Sequence, residues 1–97
     1  MDTTEKKYTL YVGSNNETKE LEKELIIGIV AKWYKSFTAY EVNGYWIGEP
    51  ERSLKIEIYT NGDDINEYSI TKLTEELERE CKQDKVLRVT NIIKTNF

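Results

Sequence analysis

The sequence predicts an α+β fold of the ferredoxin-like type, in the order β-α-β-β-α-β, with a four-stranded antiparallel sheet and two helices on one face. Three observations predict it. Four segments alternate apolar and polar residues or are rich in β-branched and aromatic ones. Two segments carry apolar residues at helical spacing. The two kinds follow one another as two strand-helix-strand halves, which places the first and third strands in the middle of the sheet. The chain has 97 residues, which predicts a single ferredoxin-like domain over 1–97 because this length encloses one modest core.

Tyr8 to Val12 alternates and stops at Gly13-Ser14-Asn15-Asn16, so it reads as a strand with Tyr8, Leu10 and Val12 inward. From Glu17 the period becomes helical, with Leu21, Leu25, Ile26, Ile29, Val30 and Trp33 on one arc and an end near Tyr34 or Lys35. Ser14-x-x-Glu17 has capping-box spacing, and Asn16 or Thr18 offers an alternative cap. Phe37 to Val42 reads as the second strand, and Asn43-Gly44 as a turn or bulge. Tyr45 to Glu51, with Gly48 and Pro50, reads as a long hairpin connection or an irregular extension of the strand. Ser53 to Thr60 alternates most cleanly of all, with Leu54, Ile56 and Ile58 on one side. Asp64-x-x-Glu67 supplies a capping box for a second helix with Ile70, Leu73, Leu77 and Cys81 inward, fading near Gln83. Val86 to Thr90 is the last strand, and Ile92 to Phe97 prolongs it after an irregularity at Asn91.

Composition removes most chemistry. There is no histidine and one cysteine, which excludes a cysteine-histidine zinc cage, an intrachain disulfide, Ser-His and Cys-His pairs and an imidazole switch. The net charge of −4 argues against general phosphate-backbone binding. Met1 to Lys7 is polar, with none of the apolar run of a secretory leader, and Leu25 to Tyr34 is far shorter than a membrane span. A free Cys81 then suits a reducing cytoplasm.

Leu10-Tyr11-Val12-Gly13, Phe37-Thr38, Gly44-Tyr45-Trp46, Glu51-x-Ser53-Leu54 and Val86-Leu87-Arg88-Val89 ending in Phe97 together resemble a family of small uncharacterised ferredoxin-like proteins, a domain of unknown function. The resemblance implies the fold and carries no activity, cofactor or partner. Many relatives have export signals and a longer loop after the tryptophan, both of which this sequence lacks.

Candidate sites are then surfaces. Glu49, Glu51 and Glu57 near Tyr45 and Trp46 are the one place where paired carboxylates suggest acid-base work, against which stands a solvated hairpin whose tryptophan covers the end of the core. Asn61 to Glu67 resembles a calcium loop but lacks its alternating ligands and closing glutamate. Cys81 lies on the apolar stripe and reads as buried filler. No cofactor and no metal are expected.

Three surfaces remain. On the open face of the sheet, Tyr11 and Tyr59 sit on the two central strands, with Thr9, Ser53, Lys55, Glu57 and Arg88 around them; such a face stacks bases in RNA-recognition motifs or is buried in a homodimer. On the second helix, Asp63, Asp64, Glu67, Glu75, Glu76, Glu78, Glu80 and Asp84 concentrate the negative charge. Glu75 with Arg79, Glu78 with Lys82 and Lys72 with Glu76 are i,i+4 pairs of an ordinary solvated helix. On the back of the first helix, Ile27, Ala31 and Tyr34 form a second apolar strip.

The preferred reading is a small acidic non-catalytic cytoplasmic protein, not an enzyme, that occupies a protein partner. The specific expectation is a mobile-element anti-defence inhibitor, such as a phage anti-CRISPR, which blocks a nucleic-acid-binding host protein without binding nucleic acid or membrane itself. Its contact residues would be Glu67, Glu75, Glu76, Glu78, Glu80, Tyr11, Tyr59 and Trp46. The alternative is a dimeric ligand- or RNA-binding module that uses the tyrosine-bearing sheet face.

Overall fold

Alternating and helical segments condense in the expected order. A computed structural model describes residues 2–60, 67–83 and 86–96, with side chains for 6–45, 47–59, 68–83 and 86–91. The elements are β1 (Asp2–Val12), α1 (Lys23–Trp33), β2 (Thr38–Trp46), β3 (Glu49–Thr60), α2 (Glu67–Glu80) and β4 (Leu87–Asn96). All strand pairs are antiparallel and the sheet order is β2-β3-β1-β4, so the first and third strands are central. This is the ferredoxin-like α+β fold.

Period-two alternation decides what each face carries. Tyr8, Leu10 and Val12 of β1 and Leu54, Ile56 and Ile58 of β3 are buried. They join Ile26, Ile29 and Val30 of α1 with Ile70, Leu73 and Leu77 of α2, and Cys81 just beyond, in one core on one side of the sheet. Both helices therefore cover the same face. The other face is bare of helices.

The first helix starts later than its periodicity predicts. Asn15, rather than Ser14, organises the entry: its Oδ1 accepts the amides of Glu17 at 2.7 Å and Thr18 at 3.1 Å, and its Nδ2 donates to Glu22. One turn forms, Lys19 then takes a left-handed φ of 65°, and α1 begins at Lys23. A short polar side chain that bonds its own backbone competes with the helix at this point. Of the apolar arc, Ile26, Ile29 and Val30 are buried, Leu21 is partly buried, and Leu25 and Trp33 are exposed at 38% each.

Tyr34 is the reverse case. It is buried, not on an outer strip, because the helix ends before it and its extended backbone turns the ring inward, where its hydroxyl bonds Ser69 at 2.9 Å. Burial raises its pKa, and the Ser69 hydrogen bond opposes that shift.

The hairpin does not turn at Asn43-Gly44. Both residues lie inside β2, and the chain reverses at Ile47-Gly48, with φ of 50° and 78° between the last pair, Trp46 and Glu49. Register explains the choice. A turn at Asn43-Gly44 would bring Thr38 only as far as Glu49, whereas the turn at Ile47-Gly48 pairs Glu49 to Glu57 with β2 and sets Ala39 beside Ile56. Pro50 is tolerated within β3 because it pairs with Tyr45 at a position whose nitrogen faces away from β2. The cost falls on Ile47, a β-branched residue in left-handed backbone and 86% exposed. Ile47→Asn is expected to stabilise the fold by about 1 kcal/mol, read as a higher urea midpoint; a lower midpoint contradicts the assigned turn.

β3 ends opposite Lys6 and β1 ends opposite Leu54, so residues 49–53 of β3 run past β1 with β2 as their strand neighbour, as an arm. The Asp64 cap and the calcium-like run from Asn61 lie outside the described residues. No helix among the described residues is long and apolar enough to cross a membrane.

Candidate functional site

Two features of the fold form sites, the open sheet face and the base of the arm. On the face, pairing sets Tyr40 beside Lys55, Lys55 beside Tyr11, and Tyr11 beside Leu87. The Lys55 ammonium lies 5.4 Å from the Tyr40 ring centre and 5.6 Å from that of Tyr11, and Lys7 lies 5.9 Å from that of Tyr59. Glu57 stands between the two lysines, 3.8 Å from Lys7 and 3.6 Å from Lys55, and accepts the Tyr40 hydroxyl at 3.2 Å. The Lys55 pKa is raised, first by Tyr40 and then by Tyr11, against the desolvation that opposes it. Thr9, at the centre of the face, is buried.

Tyr11 and Tyr59 therefore lie on one face, as their strand parity requires, and Tyr40 joins them from β2. Sequence reading missed Tyr40 because the sequence alone offers no pairing of the second strand with the third. Arg88 is corrected. It pairs with Leu10, hence faces the helices, and donates to the Thr71 hydroxyl of α2 at 3.1 Å. Its place on the open face is taken by Leu87 and Val89, 54% and 39% exposed.

At the base of the arm, Gly13 leaves β1 beside Glu51. A Cβ on Gly13 would sit 2.3 Å from the Glu51 carboxylate oxygen, so glycine makes room for that carboxylate. Glu51 accepts the Ser14 amide at 3.1 Å, the Ser14 hydroxyl donates to the Arg52 carbonyl at 3.0 Å, and the Gln83 amide donates to the Ser14 carbonyl. Between this loop and the arm runs a groove of about 990 Å³ lined by Ser14, Asn15, Asn16 and Lys19 on one side and Glu49 to Arg52 with Ile47 on the other. Lys19 makes no ion pair among the described residues, whereas Arg52 is tied to Glu41.

Of the three carboxylates weighed in the sequence, Glu49 and Glu51 both line the groove, and Glu57 does not join them. Glu51 turns to the β1–α1 loop, while Glu57 lies six residues along β3, roughly 20 Å away at ~3.3 Å per residue. Tyr45 points to the opposite face from Glu51, since it pairs with Pro50. The side chain of Trp46 lies outside the described residues, although its backbone closes the hairpin.

The acidic helix is partly committed to its own chain. Glu76 accepts the Trp33 indole at 3.1 Å and the Lys32 ammonium, which joins α2 to α1. Glu78 accepts the Val86 amide at 2.8 Å. Glu75 pairs with Lys72 and Glu80 with Arg79, so the i,i+4 pairs read from the sequence give way to i,i+3, neighbouring and long-range ones. Glu75 and Glu80 are exposed on this helix; the Glu67 side chain, with Asp63, Asp64 and Asp84, lies outside the described residues.

The Lys32 and Trp33 hydrogen bonds hold the Glu76 carboxyl below the usual carboxylate value. A depressed folded-state pKa means stability that is complete above the unfolded value, about 4.3, and lost as pH falls through the folded one. Glu76→Gln is expected to lower stability at neutral pH and to flatten the acid limb of the stability-pH curve, read by urea unfolding across pH. An unchanged acid limb contradicts the two bonds.

Cys81 is buried, and burial, with help from Glu22 and Glu80, pushes its thiol up to about 11, so it is a poor nucleophile at neutral pH. Among the described residues no group of three or more His, Cys, Asp or Glu is placed to hold a metal ion.

No known family and no curated protein matches this chain. Solved structures do match its fold. A phage SAM lyase in the apo state superposes with a TM-score of 0.63 at 16% identity, covering 95% of this chain and 89% of the other. A DUF3240 family protein from Shewanella baltica OS155 gives 0.61 at 15% identity, over 95% and 93% of the two chains. CPII from Thiomonas intermedia K12, bound to ADP, AMP and acetate, gives 0.60 at 14% identity, over 100% and 93%. At these identities the likeness is one of fold, shared with small proteins of which one belongs to an uncharacterised family.

Proposed function

We propose that this protein is a non-catalytic binding module of the cytoplasm that receives a small polar ligand in the groove between the β1–α1 loop and the β2–β3 arm. One observation carries the reading. The groove, about 990 Å³ in volume, sets an acceptor carboxylate, Glu51, across from a lysine, Lys19, that no ion pair occupies among the described residues. Glu51 uses one oxygen on the Ser14 amide, which fixes the carboxylate and leaves capacity for hydroxyl or amine donors. Lys19 suits a phosphate or carboxylate. A ribose beside a charged group has this pattern, and adenosine compounds are supported as the first class to test by the ADP and AMP of CPII and by the SAM of the phage lyase. The absence of histidine and the inert Cys81 support binding without turnover.

Isothermal titration calorimetry with ADP, AMP and S-adenosylmethionine is expected to give saturable binding that Glu51→Ala and Lys19→Ala each weaken at least tenfold. No binding by any of the three, or full affinity in both variants, rejects the groove as their site. Chromatography of the incubated ligand rejects the non-catalytic reading if product accumulates.

A second reading, the occlusion of a nucleic-acid-handling host protein by an anti-CRISPR type of inhibitor, is favoured by the exposed Glu75 and Glu80 on α2. In that reading Glu75→Gln with Glu80→Gln reduces inhibition and its salt dependence. Inhibition that survives both changes removes the helix from the contact.

A further inference from the structure

We infer that the groove seats an adenine base against the free edge of β3, which rests on the groove reading proposed above and narrows its ligand. β1 ends with Val12 opposite Leu54, so no described strand lies across from residues 50–52 on the side away from β2. On an antiparallel strand the amide and the carbonyl of one residue point to the same edge, and successive residues alternate between edges. Pro50 turns its nitrogen away from β2, and Arg52, two residues on, turns the same way. The Ser14 hydroxyl on the Arg52 carbonyl at 3.0 Å places that edge along the groove.

What this edge offers is short and specific. Pro50 has no N–H, and Ser14 takes the Arg52 carbonyl, so an added peptide strand, which needs a run of both groups, finds no ladder here. One acceptor and one donor are left, the Pro50 carbonyl and the Arg52 amide. Adenine carries their complement, an exocyclic amine beside a ring nitrogen that accepts, whereas guanine and hypoxanthine put a carbonyl oxygen where that amine stands. Apolar cover comes from the same wall, since Ile47 and Pro50 line the groove beside this edge. Ile47 is unfavourable twice over in the empty chain, as a β-branched residue at φ 50° and as an apolar side chain 86% exposed. A flat ring laid on it removes the exposure, so the residue that strains the hairpin is the one that the base covers. Lys19 and Glu51 remain for the phosphate and the ribose.

Calorimetry of the full chain with AMP, inosine monophosphate and ribose 5-phosphate tests this seat. AMP is expected to bind at least tenfold more tightly than either of the others, because inosine monophosphate sets a carbonyl against the Pro50 carbonyl and ribose 5-phosphate brings no base. Ile47→Asn, which relieves the turn, is expected to raise the urea midpoint and yet to weaken AMP at least threefold. In nuclear magnetic resonance spectra of the unaltered protein, the Arg52 amide is expected to shift with AMP and to stay in place with ribose 5-phosphate. Should AMP bind in a manner that needs Glu51 and Lys19, but with a preference below tenfold, full affinity in Ile47→Asn or an unmoved Arg52 amide, the adenine seat is overturned and the groove stands. Should AMP not bind at all, the groove fails as its site and the inference falls with it.

Discussion

Ile56→Ala is expected to lower the unfolding temperature more than any other single change considered. Ile56 is fully buried at the middle of β3, paired with Leu10 on one side and Ala39 on the other, beneath both helices. Truncating such a side chain costs about 2–5 kcal/mol, because transfer free energy is lost and a cavity remains. Against a total of about 5–15 kcal/mol that is a large share, and for a chain of this size it corresponds to a fall of roughly 10–30 °C. Differential scanning calorimetry reads it. A fall of only a degree or two contradicts the placement of Ile56 between sheet and helices. Tyr59→Ala, on the open face of the same strand, is the contrasting variant: with no core contact to lose, it leaves the isolated chain within about 0.5 kcal/mol.

The second large effect is expected at Gly13. Gly13→Ala puts a methyl group where the flexible end of Glu51 lies, so the carboxylate swings away and the part-buried Ser14 amide loses its acceptor, at about 1 kcal/mol. Strain and lost bond share one cause, which makes the two positions coupled. In a Glu51→Ala background the same glycine change is expected to cost little, and the cycle of four proteins isolates an interaction of about 1 kcal/mol or more. Additive costs mean that Gly13 is selected by something other than this contact. Ligand affinity in the groove is expected to follow Glu51, falling in either single variant.

Much of the fold was legible because the alternation in Tyr8 to Val12 and Ser53 to Thr60, and the 3, 4, 4 spacing of Ile70, Leu73, Leu77 and Cys81, are patterns that one buried face imposes on strands and helices. The misread places are those where a local signal competes with register. Asn43-Gly44 is the strongest hairpin pair in the sequence, but pairing of Glu49 to Glu57 with β2 moves the reversal to Ile47-Gly48, inside the Tyr45 to Glu51 connection, where Gly48 suits a positive φ and Ile47 does not. Ser14-x-x-Glu17 looks like a capping box, yet Asn15 captures the same amides and delays α1 to Lys23.

The sites follow the same rule. Tyr11 and Tyr59 were accessible from parity alone, since both strands are regular. Arg88 was not, because its face depends on β4 pairing with β1 as Leu10 with Arg88, one residue from the alternative. The groove was invisible because it brings together Gly13, Ser14 and Lys19 with Glu51, residues more than thirty positions apart whose proximity exists only once the arm overhangs β1. The signal that could have pointed to it is the glycine at the end of a regular strand, where a missing side chain invites another chain to approach. The commitment of Glu76 to Lys32 and Trp33 was hidden likewise, since a helix wheel shows which face is charged but not which charges its neighbour claims.

The proposed role is to hold a ligand in the groove and to transform nothing. Its most direct test is a titration of isotope-labelled protein with the three adenosine compounds, followed amide by amide by nuclear magnetic resonance. Shifts are expected to concentrate in Ser14 to Lys19 and Glu49 to Arg52 and to be absent in Glu51→Ala, with the ligand recovered intact at the end. Shifts confined to the open sheet face or to α2, or a spectrum of the ligand that changes into that of a product, would contradict it.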